Sequence, residues 1–384
     1  MVRVQRKQIE EIRLALKKKY RKLFLQSGEA KLFRACMDDY ICTRTDRSVR
    51  IAARIIAFLA GLLFTRLIVK GKEHLRGIDQ TTGHTVYLFS PSHKSNLDSY
   101  LVGLVLLKYR KVELPFFVAT QMLKYWPIKS YLRKIGGYYI RQGQFHPLYL
   151  RMFKDFLTEL LKGGVNQTIF LEGHLSRTGF FEPINTGLVK FLVEAHLRVP
   201  EVSLKIVPVS IVFDFVPEDT FMSQTLKRDF RLPSPIRSIF QSLGKIRKYG
   251  AMTLEFGMPM DFSSFYPRTY GTDAGSVKIK KTAREIGEAV MQAIRRLPRL
   301  TPAMVVAKMV AEADTDFLAH NRVESRLRSH IADISGEQIR FTMNKLQARG
   351  VIRKTKGGYR ITGRNAHLVA YYRNMYKDNA AAGA

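Results

Sequence analysis

His93 and Asp98 stand five residues apart in the run Ser92-His93-Lys94-Ser95-Asn96-Leu97-Asp98, directly after Val86–Ser90, which reads as a buried strand. A strand-to-helix turn of that length brings an imidazole and a carboxylate within hydrogen-bond reach. The carboxylate would fix the imidazole tautomer and leave the other ring nitrogen as a general base. A sugar-type hydroxyl, too weakly acidic to attack a thioester unaided, needs such a base. Taken alone, the pattern fits equally well an Asp98 that caps a helix beside an incidental His93.

A second polar run, Glu172-Gly173-His174-Leu175-Ser176-Arg177, also leaves an apolar stretch, Thr168–Leu171. Gly173 allows the backbone to turn close to a ligand, and Ser176 and Arg177 are donors suited to a phosphate. A polar loop with Glu172 paired to a surface arginine would look the same. Two further pieces read as structural when taken singly. Gly137–Arg141 ends a strand on the cationic fork of Arg141. Lys205–Phe213 is a strand interrupted by Pro208, which argues for an edge or a bulge there.

These residues need a scaffold, and the pattern from Thr85 onward supplies one. Strands at Val86–Ser90, Pro115–Ala119, Gly137–Arg141, Thr168–Leu171, Lys205–Phe213 and Thr253–Phe256 alternate with helices. The helices fall at Leu97–Leu107, Met122–Ile135 (bent by Pro127), Leu148–Leu161, Gly187–Leu197 and Ala283–Arg296. The expected fold is α/β, a mostly parallel or mixed sheet covered by helices, with ligands at the loops leaving the strands' carboxyl ends. Residues 85–300 are expected to form this domain. A basic helical region, 1–84, precedes it, with Ile9, Ile12, Leu16 and Leu23 on one apolar stripe. A small α+β appendage, 301–384, follows the boundary marked by Pro298 and Pro302. Its helices, turn at Ser335-Gly336 and hairpin turning at Gly357-Gly358 suggest a winged helix.

The formal net charge is +32, from 64 Lys and Arg against 32 Asp and Glu. Such a chain seeks polyanions: nucleic acid, anionic lipid headgroups, or acidic substrates and carriers. Cys36 and Cys42 give neither a disulfide framework nor a zinc motif, and they point to a reducing compartment. The N-terminus reads as charged and helical, unlike a signal peptide. The apolar run Ile55–Thr65 is shorter than the roughly 20 residues a bilayer span needs. Flanked by Arg54 and Arg66, it reads as an interfacial segment, with a core helix as the alternative. Arg340, Lys345 and Arg349 in the appendage would suit DNA phosphates.

In order and spacing, the four blocks resemble the four motifs of the glycerolipid acyltransferase superfamily, the first its H-x4-D motif and the third its E-G-x-R-S-R motif. Leu114-Pro115-Phe116-Phe117 through Gly137-Tyr138-Tyr139-Ile140-Arg141, and Lys205–Ile211, look most like the glycerol-3-phosphate and dihydroxyacetone-phosphate acyltransferases. The resemblance covers roughly Thr85 to Gly257. Leu175 replaces the first arginine of the third motif, and Gln142 replaces an arginine that often follows Arg141. Ser92 and Leu171 fit the lysophosphatidate acyltransferase pattern poorly.

The resemblance implies direct acyl transfer, with His93 and Asp98 catalytic and no acyl-enzyme, metal or cofactor. The donor would be acyl-CoA or acyl-carrier-protein and the acceptor glycerol 3-phosphate, with dihydroxyacetone phosphate or lysophosphatidate as alternatives. Substrate would be bound by Lys94, Ser95, Arg141, Glu172, Gly173, Ser176, Arg177 and Pro208. Arg141, Arg177, Ser176 and Lys94 would hold phosphate; Glu172 and Gly173 would shape the pocket and bond acceptor hydroxyls. The expected setting is the cytoplasmic face of an anionic membrane, bound peripherally or monotopically. A winged-helix nucleic-acid-binding protein is the alternative of another class, disfavoured because an acyltransferase needs a basic face for membranes in any case.

Overall fold

The computed structural model describes residues 2–26, 28–75, 78, 85–110, 116–118, 128–140, 146–223, 249–266, 275–297 and 299–380. The chain opens with helices α1 (Val2–Gln26), α2 (Ala30–Tyr40) and α3 (Asp46–Leu63). Strands and helices then alternate: β1 (Arg66–Lys70), β2 (Thr85–Pro91), α4 (Asp98–Arg110), β3 (Phe116–Val118), α5 (Ile128–Arg133), β4 (Gly137–Tyr138), α6 (Pro147–Lys162), β5 (Gln167–Thr168), α7 (Thr186–His196), β6 (Ser203–Phe213), α8 (Asp219–Met222), β7 (Ala251–Phe256), β8 (Met260–Asp261) and α9 (Ser276–Arg295). The last part comprises α10 (Pro302–Ala311), β9 (Phe317–Ala319), α11 (His320–His330), α12 (Gly336–Ala348), β10 (Ile352–Thr355), β11 (Gly358–Ile361) and α13 (Ala366–Ala380).

The main sheet runs in the order β1-β7-β6-β2-β5-β3-β4, with β8 also paired to β6. From β6 to β4 all neighbours are parallel, whereas β7 and β8 meet β6 antiparallel and β1 follows β7. The sheet is therefore mixed, as the alternation of elements leads one to expect. β2 and β5 are parallel neighbours, so the loops that follow them leave the same edge of the sheet. That places the His93 and Glu172 loops side by side.

Pro208 does not lie on an edge strand. It pairs with Ser90 across β2, at the centre of the sheet. A bulge on its other side tolerates the missing N–H. There Val209 faces Phe256 and Ile206 faces Met260, so residues 257–259 lie opposite only Val207 and Pro208. The Gly257 N–H donates to the Pro208 carbonyl at 2.8 Å, while the ring needs no partner of its own.

Alternation along β2 feeds two cores. Val86 and Leu88 pack in a cluster with α1, α2, α6, α7 and α9. Tyr87 and Phe89 pack in a second cluster with α4, β7 and the last eighty residues. Helix starts obey capping chemistry. Thr45 accepts from the Ser48 N–H, Asn185 from Gly187 and Thr301 from Met304, and Ser335 with Gln338 forms a capping box.

The N-terminal stripe differs from expectation in one residue. Ile9, Ile12 and Leu16 are buried, but the stripe continues through Tyr20 and Phe24 while Leu23 is exposed, as the 3.6-residue period requires. The run Ile55–Thr65 divides in two. Ile51, Ile55 and Phe58 are exposed along one face of α3, whereas Leu63 and Phe64 sit in the core. Among the described residues no helix is long and apolar enough to cross a membrane.

In the last segment the hairpin turns at Lys356-Gly357 rather than Gly357-Gly358, because Thr355 pairs with Gly358. Gly357 adopts φ +86°, which a two-residue turn demands. Of Arg340 and Lys345 on α12 and Arg349 at its C-cap, two point inward. Arg349 pairs with the buried Asp219, and Lys345 lies over the Tyr249 and Phe341 rings. Only Arg340 remains exposed. This removes most of the basis for reading α12 as a DNA-contacting helix.

Candidate active site

His93 is held from three directions. Its Nδ1 lies 3.2 Å from Asp98 Oδ2, its backbone N–H donates to Glu172 Oε1 at 2.7 Å, and its ring stacks on Phe170 with centroids 3.9 Å apart. Asp98 opens α4 and is fully buried; the same Oδ2 also accepts from the Lys94 and Ser95 amides at 2.7 and 2.8 Å. Burial raises the Asp98 pKa, opposed by the hydrogen bond and electrostatic attraction of His93 and by the two amides. An ionised Oδ2 only accepts, so the proton of the ring stays on Nδ1. Nε2 then has its lone pair available, and among the described residues no protein group bonds to it. With its side chain 18% exposed, His93 has the geometry a general base needs toward a ligand. The Asp98 carboxylate accepts from amides upstream of α4 and none within it, so it organises the turn and the His93 ring and does not cap the helix.

The polar residues of the second loop largely face inward. Glu172 accepts from the His93 and Glu182 amides at 2.7 and 2.8 Å and is buried. Burial raises its pKa, opposed by the charge of Lys94 and by the two amides. The Glu172 carboxylate thus ties the loops together and is sealed from acceptor hydroxyls, contrary to the expectation. Ser176 is also buried: its N–H donates to the His93 carbonyl at 3.0 Å, and its hydroxyl bridges Phe180 O and Gly179 N. It therefore organises the loop instead of meeting phosphate. Lys94 is corrected likewise. Its ammonium donates to the carbonyls of Gly179 and Phe180 at 3.2 and 3.0 Å and lies 4.4 Å from the centre of the Phe181 ring. Ser95 is fully buried; its hydroxyl accepts from Leu97 N–H, which starts α4. Gly173 has φ +71°, and a Cβ there would press on the Asn185 side chain.

Residues 66–212 match the family model described as Acyltransferase. That stretch of the chain is similar to the acyltransferase family. The chain is 29% identical over 230 residues to a glycerol-3-phosphate acyltransferase of Shewanella sp. (strain W3-18-1), which covers 60% of this chain and 28% of that protein. A protein of the same name from Shewanella oneidensis is 28% identical over 234 residues, 61% of this chain and 29% of the relative. The chain thus spans under a third of the curated relatives it matches. The 1-acyl-sn-glycerophosphate acyltransferase PlsC of Thermotoga maritima superposes with a TM-score of 0.36 at 16% identity, over 76% of this chain and 97% of that one. So loose a superposition carries no argument here.

His93, Asp98, Glu172, Gly173, Ser176, Arg177 and Pro208 all fall within the matched acyltransferase stretch. Arg177 is exposed at the loop surface, and its N–H donates to Glu182. Pro208 is buried in β6, opposite Ser90 of β2. Arg141 and Gln142 lie outside the described residues. Leu175, where the family has arginine, packs half-buried against the apolar cluster.

Three features of the candidate site escape the sequence. Phe170 supplies the ring under His93, and only its position at a strand end hinted at a role. Glu218 is fully buried in the loop after β6, a third parallel strand on the same edge; it accepts from the Asn96 N–H and Nδ2 at 3.2 and 3.3 Å. Burial raises its pKa to about 7; a Ser95 hydrogen bond lowers it and the Asp98 charge adds to the rise. The third is the contact between α13 and residues 178–181, far apart in sequence.

Proposed function

We propose that this chain transfers a fatty acyl group from a thioester, acyl-CoA or acyl-carrier-protein, to a hydroxyl of glycerol 3-phosphate. The observation that carries the reading is the His93–Asp98 pair with Nε2 open at a parallel strand's carboxyl end, inside the matched acyltransferase stretch. Nε2 takes the proton of the attacking hydroxyl as its oxygen bonds to the thioester carbonyl carbon. The tetrahedral adduct collapses, the C–S bond breaks, and the imidazolium returns the proton to the leaving thiolate. Asp98 stabilises the imidazolium between these steps. Holding both substrates in place removes much of the entropic barrier.

We place the reaction at an anionic lipid surface. Ile51, Ile55 and Phe58 form an exposed apolar stripe on α3, with Arg47, Arg50 and Arg54 exposed beside it. Such a face suits headgroup contact and partial burial. An assay crossing glycerol 3-phosphate, dihydroxyacetone phosphate and lysophosphatidate with both donor types tests the reading. Transfer to glycerol 3-phosphate, lost in His93→Ala, is the expected result. Wild-type protein that acylates none of the three acceptors overturns it.

A further inference from the structure

We propose that helix α13, through Asn374 and Asp378, positions the second catalytic loop and thereby sets how tightly the phosphorylated acceptor is bound. The inference rests on the acyltransferase reading and deepens it, because these residues lie outside the stretch shared with that family.

Tyr371, Asn374 and Asp378 recur at helical spacing and form one face of α13. All three meet the loop. Asn374 Nδ2 donates to the Thr178 carbonyl at 2.9 Å, and the Phe181 N–H donates to Asp378 Oδ2. Between them Gly179, at φ +92°, lies so close to the Tyr371 carbonyl that any Cβ would overlap it. The loop therefore takes a left-handed glycine conformation against the helix backbone. Three consecutive points of attachment leave the segment 178–181 little freedom.

That segment is also where the first loop is tied. Lys94, one residue after the base, sends its buried ammonium to the Gly179 and Phe180 carbonyls. The charges of Glu172, Asp378 and Glu182 face that ammonium, and Asp378 comes from α13. Ser176 in turn holds the His93 carbonyl through its N–H and Phe180 through its hydroxyl. Arg177 stands between Ser176 and Thr178, so its presentation follows the two anchored neighbours.

The helix is itself fixed to the segment that follows β6. The Tyr372 hydroxyl meets both the Val216 N–H and Asp219, and Arg349 meets the same Asp219. Asp219 follows Glu218, which accepts from Asn96 in the first catalytic loop. The last eighty residues thus reach both loops from behind. A segment that merely decorated the domain would need neither contact.

Asp378→Ala and Asn374→Ala test this in the full chain. The first removes a charge from beside Lys94 and is the harsher change; the second deletes one hydrogen bond and leaves the fold in place. Both are expected to raise the Michaelis constant for glycerol 3-phosphate about tenfold, with the thioester constant changed less than twofold. The Ser176 and Gly179 amides, whose own partners are untouched, are expected to exchange with solvent at least tenfold faster in both variants. If these amides stay as protected as in wild type in Asn374→Ala, or the two Michaelis constants shift equally, α13 is not a positioning element. If wild-type protein acylates no acceptor, the functional reading fails on its own, and the exchange measurement still decides whether α13 holds the loop.

Discussion

His93 and Glu172 leave neighbouring parallel strands in loops of similar polarity, yet one side chain opens to solvent and the other is sealed. The first loop folds its carboxylate inward to orient a base that faces out. The second folds its carboxylate inward to hold two backbone amides, that of His93 across the junction of the loops and that of Glu182. The difference lies in what the buried acid accepts from. Asp98 has an ionisable partner beside its two amides, so its charge can be used in catalysis. Among the described residues Glu172 has only amides as hydrogen-bond partners, and it acts as a rivet.

The sharpest break in that comparison is His93→Ala. Loss of a general base lowers turnover by ~10² to 10⁴, and the folded protein should persist, because the ring is partly exposed and its backbone bonds survive. Near-normal turnover in folded His93→Ala would remove the contrast altogether. Glu172→Ala should instead act on stability. It strands the His93 and Glu182 amides, at about 1–3 kcal/mol for each buried donor left unmade. Urea denaturation should show a loss of about 2–6 kcal/mol, with Glu172→Gln less affected because an amide oxygen still accepts. An unchanged midpoint in Glu172→Ala would show that the carboxylate is no rivet.

Glu218 gives the comparison a pH axis. Its pKa is raised from 4.5 to about 7 inside the native fold. The native state therefore holds the proton more tightly than the unfolded chain. The Glu218 contribution to stability is greatest below pH 4.5, falls as pH rises to about 7, and is level above that. The full span is roughly 3 kcal/mol at 1.36 kcal/mol per pKa unit. Glu218→Gln carries no such titration, so it should gain on the wild type by up to that amount between pH 5 and pH 8. Parallel stability curves for the two proteins would show that Glu218 does not titrate in this window.

Most of the scaffold was legible because its signals are local. Buried strands, apolar helix faces, the boundary near Pro302 and the turn at Ser335-Gly336 are each set by neighbours within a turn or two. The dyad was legible for the same reason, since five residues and a strand end suffice to place it. The second loop's roles were not, because residue type cannot say which way a side chain points. Glu172, Ser176 and Lys94 look like ligand groups in one dimension, and each is claimed by a carbonyl or amide that only the folded neighbour supplies. Asn374 and Asp378 lie some two hundred residues from their partners, so no spacing could have joined them.

Arg177 and Leu175 mark the smallest and most discriminating test. Arg177 is the cation of the second loop left at the surface, while Leu175 fills the family's other arginine position with a half-buried apolar contact. If the loop presents a single phosphate contact, Arg177→Ala removes one charge-assisted hydrogen bond. About tenfold in the acceptor's Michaelis constant is then expected, equivalent to roughly 1.4 kcal/mol, with the thioester constant within twofold. Leu175→Arg sharpens the point. A guanidinium at Leu175 would have to leave the apolar cluster or enter it unpaired, and burying an unpaired charge is strongly unfavourable. The expected outcome is a less stable protein with no gain in acceptor affinity. Tighter glycerol 3-phosphate binding in Leu175→Arg at wild-type stability would mean that the loop can turn this position outward. The second loop would then be a ligand loop like the first, and the contrast between them would reduce to which arginines the sequence happens to retain.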